Sequence, residues 1–161
     1  MKKITLSNKD GFSLLQVLRS LNDMTLIGKL DPTLSARRAS HLINVLEDEI
    51  KTGLGTYATQ LDQIIANANA KFMPDLLAIP ESERVTTNVE VQLYSKHVNE
   101  EIENAALLVG LTPQALENVE ISIESDDRAK FLNTALDQLA TSWTSRKSYL
   151  AVCDAVEQSL A

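Results

Sequence analysis

One cysteine, two histidines and seven aromatic side chains are all that 161 residues hold of the groups that most often do chemistry. A single Cys153 excludes an internal disulfide, and no Asn-x-Ser/Thr acceptor occurs, so the sequence predicts a cytosolic setting. Aromatics make up only 4% of the chain, so Leu, Ile, Val and Ala must fill its core. No apolar run exceeds five residues, Ala105 to Val109 among them, far below the roughly 20 that a membrane span needs. The opening Met1-Lys2-Lys3-Ile4-Thr5-Leu6 soon meets Asp10 and lacks the apolar centre of a signal peptide. Five glycines and four prolines are too few and too scattered for a phosphate-binding or dinucleotide loop; Gly53-Leu54-Gly55 lacks both the third glycine and the preceding strand. No HExxH, nucleophile elbow or CxxC is present.

What is there is helical periodicity. From Ser35 to Lys71 the apolar residues fall at Ala39, Ile43, Leu46, Ile50, Leu54, Tyr57, Leu61, Ile64 and Ala68, a spacing close to the 3.6-residue period. Gly53 and Gly55 lie inside this pattern, and each costs about 1 kcal/mol relative to Ala in a helix interior. The apolar phase survives them, so the expectation is one long central helix with a soft point, closed by Phe72-Met73-Pro74 and roughly 50 Å long. Ser7 and Asp10 stand at capping-box spacing before a Leu-rich helix through Phe12, Leu14, Leu15, Leu18 and Leu21. Asp31-Pro32 and Ser35 compete as the entry to the central helix.

Farther on, Val89, Leu93, Val98, Ile102, Ala105, Leu108 and Val109 mark the apolar side of a helix opening at Asn88 and closing on Gly110. Thr112-Pro113 reads as the cap and first residue of a short helix to about Asn118. Val119 to Glu124 alternates strictly and is the clearest strand; Ile4 to Leu6 is its best mate. A C-terminal helical stretch follows Ser125, its stripe being Leu132, Leu136, Leu139, Trp143, Leu150, Cys153, Val156 and Leu160, with a possible break over Thr141 to Ser148. The expected fold class is therefore mainly α (α+β): a single helical domain over residues 1–161 around one long helix, with a small two-stranded sheet.

The net charge of −7 is uneven. Eleven acids lie between Glu81 and Asp127 against only Arg84 and Lys96, while the rest of the chain is slightly basic. Such a stretch is either a solvated surface or a docking face for a basic partner, even a nucleic-acid mimic. The candidate partner-binding acids are Glu100, Glu101, Glu103, Glu117, Glu120, Glu124, Asp126 and Asp127. Direct nucleic-acid binding is the poorest fit, because phosphate contacts need clustered Lys and Arg. His97 shares a helical face with Glu90, Tyr94 and Glu101, but a metal site needs three or four ligands and no second His-bearing set exists. His41 has apolar neighbours and no partner motif. Cys153 lies on an apolar stripe, where cysteine is commonly a small buried hydrophobe. No catalytic, cofactor or metal residues are assigned; a metal-dependent helical enzyme built on His97 is the most remote reading.

Several segments in order, Lys3 to Lys9, the helix through Leu14, Leu18 and Leu21, Lys29 to Ser35, Leu42 to Glu49 and the acidic strand Asn118 to Ile123, resemble a family of small uncharacterised proteins of tailed bacteriophages. Gly53 and Gly55 depart from the unbroken charged helix of that family. The resemblance implies a non-enzymatic phage accessory protein, a virion or assembly component or a modulator of a host protein, in the host cytoplasm or the virion. It carries no active site to transfer. The expected partner is a protein, either a second copy, since the long apolar stripe would overrun a compact body, or a basic host or virion protein.

Overall fold

The computed structural model describes all 161 residues. The fold is mainly helical with a small two-stranded antiparallel sheet, in the order β1 (Lys2–Ser7), α1 (Asn8–Arg19), α2 (Met24–Ile27), α3 (Ala36–Leu54), α4 (Thr56–Leu77), α5 (Val89–Leu108), α6 (Leu111–Gln114), β2 (Asn118–Ile123), α7 (Asp126–Gln138) and α8 (Arg146–Leu160). Two compact units result: one made of Met1–Gly55 with Ala115–Ala161, the other of Thr56–Gln114.

In the first unit β1 and β2 pair from Lys2 opposite Ile123 to Ser7 opposite Asn118. The alternation anticipated for both strands sends Ile4, Leu6, Ile121 and Ile123 inward and leaves Lys3, Thr5, Glu120 and Ser122 in solvent. Helix α3 packs on β2, α8 on β1, and α1 on both α3 and α8. Leu14, Leu15, Leu46, Ile50, Leu132, Val152 and Val156 are fully buried between them, so aliphatic side chains build this core with Phe12 and Phe131. The Ser7 hydroxyl accepts from the Asp10 N–H at 3.1 Å, as the capping spacing implies. Only half of the capping box forms, because the Asp10 carboxylate instead accepts the Ser148 hydroxyl of α8 at 2.6 Å. Of the two competing entries to α3, Ser35 is the cap, accepting from Arg38 N–H, and Asp31 closes a local turn on Thr33.

The continuous helix expected over Ser35 to Lys71 is instead two helices, α3 and α4. They part at Gly55, whose φ of +58° and ψ of −133° lie outside helical space and are open essentially to glycine alone. Apolar periodicity carries across the break because it records what is buried, not whether the backbone is unbroken. The stop expected at Pro74 does not occur either. Helix α4 runs through Pro74 to Leu77, and the Pro74 carbonyl still accepts from the Ala78 N–H at 3.0 Å.

The second unit is an antiparallel hairpin of α4 and α5, with α6 against both. The Asn88 side chain caps α5 through Glu90 and Val91 N–H, and the ambiguous Val85 to Val91 segment resolves into a turn and the first helical residues. Gly110, at φ +75°, closes α5 as expected. Helix α6 opens at Leu111, one residue before the Thr112 expected to cap it. The predicted break in the last helix is present: a 3-10 turn over Ala140–Ser142 precedes Ser145, which caps α8 through Ser148 N–H at 3.3 Å.

Candidate functional site

The acids singled out by sequence do not share one element. Glu100, Glu101 and Glu103 lie on α5 in the second unit; Glu117, Glu120, Glu124, Asp126 and Asp127 lie around β2 and the start of α7 in the first. Several already have partners. Glu101 holds Lys71 at 3.1 Å, Glu120 pairs with Lys3 at 3.5 Å, Asp126 with the Met1 ammonium at 3.7 Å, and Glu100 with Lys96 at 3.9 Å. These pairs are substantially exposed, so each is worth little, about 0–1 kcal/mol. Around β2 the more protected ion pair is Arg128 with Glu49 at 3.0 Å; Glu49 also accepts from the Glu124 N–H at 2.8 Å, tying α3 to the end of β2. Sequence reading passed over Glu49 because its partners lie more than 70 residues away.

The helical alignment of Glu90, Tyr94 and His97 is real. Together with Asp75 and Ile79 they line a shallow groove of about 280 Å³ between α4 and α5. Glu101 is drawn off by Lys71, and the His97 ring lies 5.9 Å from the Phe72 ring. No group of three or more His, Cys, Asp or Glu side chains converges as metal ligands would. His41 is exposed on α3. Cys153 is half-buried; burial pushes its thiol up, partly offset by a hydrogen bond with Tyr149. A thiol held protonated is a poor nucleophile. A second groove, about 360 Å³, runs between α1 and the start of α8 and is lined by Ser13, Gln16, Ser142, Trp143, Ser145 and Ser148 among others, with no His, Cys, Asp or Glu in its wall. Three of its hydroxyls already donate within the fold, Ser13 to Lys9 O, Ser20 to Val17 O and, across the chain, Ser148 to Asp10.

What the sequence reading missed is on the outside of the hairpin. The side assigned as apolar on α5 is largely solvated: only Val98 is buried, while Val89, Leu93, Leu108 and Val109 are exposed, Leu108 to 86%, and Leu107 beside them is exposed as well. The signal was present in the run Ala105 to Val109. Five consecutive residues at about 100° each go round the whole helix. A helix covered on one side therefore cannot bury all of them. Across the chain, eight of the twelve exposed large apolar side chains belong to the hairpin unit, which holds only six of the 32 buried apolar ones. The same misplacement occurs at Leu150 of α8, expected on the buried stripe and 46% exposed.

Comparison with protein-family models, with curated proteins and with solved structures returns no match to this chain. No helix is long and apolar enough to cross a membrane.

Proposed function

We propose that the chain is a non-enzymatic protein–protein interaction protein, a phage accessory protein that engages its partner through the α4–α5 hairpin. One observation carries the reading: the hairpin unit keeps few apolar side chains for its own core and presents most of the chain's large exposed ones. A monomer rarely exposes contiguous apolar surface without a use for it, and interaction sites are the commonest use. The hairpin is also acidic, with eight acids against Lys71, Lys96 and Arg84, which suits a basic partner and speeds encounter with it. The first unit, with the sheet and most of the core, is the scaffold.

Photo-reactive residues placed singly at Met73, Leu77, Leu93, Leu107 and Leu108, with Met24 and Leu150 of the first unit as controls, test this in the native host. Protein adducts from hairpin positions and none from the controls are expected; adducts only from the controls would refute the reading. The identity of the cross-linked protein, together with the genes flanking this one, separates a virion component from a host-directed modulator.

A further inference from the structure

Resting on that reading, we infer that the C-terminal end of α5 docks a basic segment of another protein that carries apolar anchors. Leu107, Leu108 and Val109 are 64%, 86% and 54% exposed, three large apolar side chains in succession at a helix end. Leu107 lies four residues after Glu103 and seven after Glu100, so all three share one helical face. Beside that face a groove of about 510 Å³ runs along α5, lined by Gln92, Lys96, Asn99, Glu100 and Glu103 among others.

Charge decides the occupant. The C-terminal end of a helix carries the negative pole of its dipole and favours cations there. The last turn of α5 has no basic residue to meet it. Glu103 has no cationic partner, and Glu100 has only the exposed Lys96 at 3.9 Å. A row of acids leading into an apolar helix end fits a segment that alternates Lys or Arg with Leu-like residues, the helix-in-groove mode of recognition. A second copy is the poorer fit. Two-fold pairing through this patch gathers Glu100, Glu103 and the negative helix end of both copies into one interface, with no basic residue in the last turn of α5 to offset them.

The test uses the full chain and two short fluorescent peptides with helical repeats, one of Lys and Leu, the other with Glu for every Lys. Anisotropy is expected to show binding of the Lys–Leu peptide and none of the Glu–Leu peptide. Leu107→Ser with Leu108→Ser should weaken binding by about tenfold or more, as loss of an apolar anchor does. Glu100→Lys with Glu103→Lys should weaken it at low salt, the loss fading toward 1 M, where the Debye length is about 3 Å. Leu150→Ser and Asp154→Lys, exposed on the first unit, should leave it unchanged. All these side chains are exposed, and circular dichroism melts confirm that the variants fold. Equal binding by the Leu107/Leu108 variant overturns the docking point, as does failure of the Lys–Leu peptide to bind. Binding lost in Met73→Ser with Leu77→Ser but kept in the Leu107/Leu108 variant also overturns it, while leaving the hairpin as the interaction element. A dimer by light scattering that the two serines abolish makes a second copy the occupant and overturns the basic partner.

Discussion

Replacing Gly53 by alanine sets two effects against each other, and the structure decides the sign. By propensity alone Gly53→Ala should stabilise α3 by about 1 kcal/mol, since glycine inside a helix carries the larger entropy loss. But Gly53 faces β2, and a methyl group there would lie 2.7 Å from Ile121 Cγ1 and 3.1 Å from Ile121 Cα. Ile121 is 1% exposed and sits opposite Ile4 in the sheet. Its Cα cannot retreat unless the strand moves, and with it the register of the only sheet. Overpacking of this kind costs typically 1–3 kcal/mol.

The net expectation for Gly53→Ala is therefore a loss of up to about 2 kcal/mol. For a unit of roughly 100 residues that lowers Tm by up to roughly 15 °C, which a thermal melt followed by far-UV circular dichroism measures. Gly11→Ala is the internal control. Its methyl group would also come within 2.7 Å of a neighbour, but that neighbour is the Cδ2 tip of Leu54, which can rotate. It should cost less than Gly53→Ala. A Tm that rises in Gly53→Ala would show that α3 does not press on β2 as described, and the packing of the first unit would have to be rebuilt.

Gly55→Ala meets no atom within 4 Å, so any loss there is backbone strain at φ +58°, about 1–3 kcal/mol; a neutral melt would mean that α3 and α4 can join as one helix. Leu46→Asp places a charge at a position with no exposure and should abolish the cooperative melt, whereas Leu61→Asp, at a half-buried position of α4, should be milder; equal effects would contradict this difference in burial. Tyr149 is pushed up to about 12 by burial first, then by its hydrogen bond with Cys153 and nearby negative charge. Its neutral form is the one the fold favours, so its contribution is present below the ordinary tyrosine value near 10 and is lost as pH rises to about 12. Ultraviolet titration should lose that late phenolate step in Tyr149→Phe; a step remaining near pH 12 would assign it elsewhere.

How much of this was legible in the sequence follows from which interactions are local. The strands could be read because alternation at Ile4, Leu6, Ile121 and Ile123 directly records one buried face. Caps at Ser7, Ser35, Asn88 and Ser145 were legible in principle because each bonds to a backbone N–H two or three residues on. The break at Gly55 was not, since one glycine with positive φ leaves the apolar phase intact on both sides. With the helix interrupted at Gly55, a continuous helix of roughly 50 Å no longer argues for self-association, and the case for a partner rests on the exposed residues of the hairpin. Nor could the acids between Glu81 and Asp127 be resolved into a face, because nearness in sequence says nothing of division between two units. The hydrogen bond of Asp10 with Ser148 spans 138 residues and no local pattern encodes it.

The discontinuous first unit leads to the most demanding expectation. Its chain leaves at Gly55 and returns at Ala115, and both points lie close to the first turns of α1. Leu54 packs on Gly11, while the Ala115 carbonyl accepts from the Lys9 N–H at 2.9 Å. Lys9 and Gly11 are two residues apart in one helix, so a flexible Gly/Ser linker, which spans roughly 5–6 Å × √n for n residues, should bridge the gap with a handful of residues. The unit retains both strands, α1, α3, α7 and α8, and 26 of the 32 buried apolar side chains. Excision of Thr56–Gln114 with such a linker should therefore leave a folded protein with a cooperative melt and dispersed methyl resonances. The same protein should lose the cross-linked adducts expected from the hairpin. The reverse piece, residues 56–114 alone, has six buried apolar side chains with which to offset its conformational entropy, and it should melt broadly or not at all. A molten spectrum for the linked first unit would mean that the hairpin is part of its fold. The division into scaffold and docking element, on which the proposed function rests, would then fail.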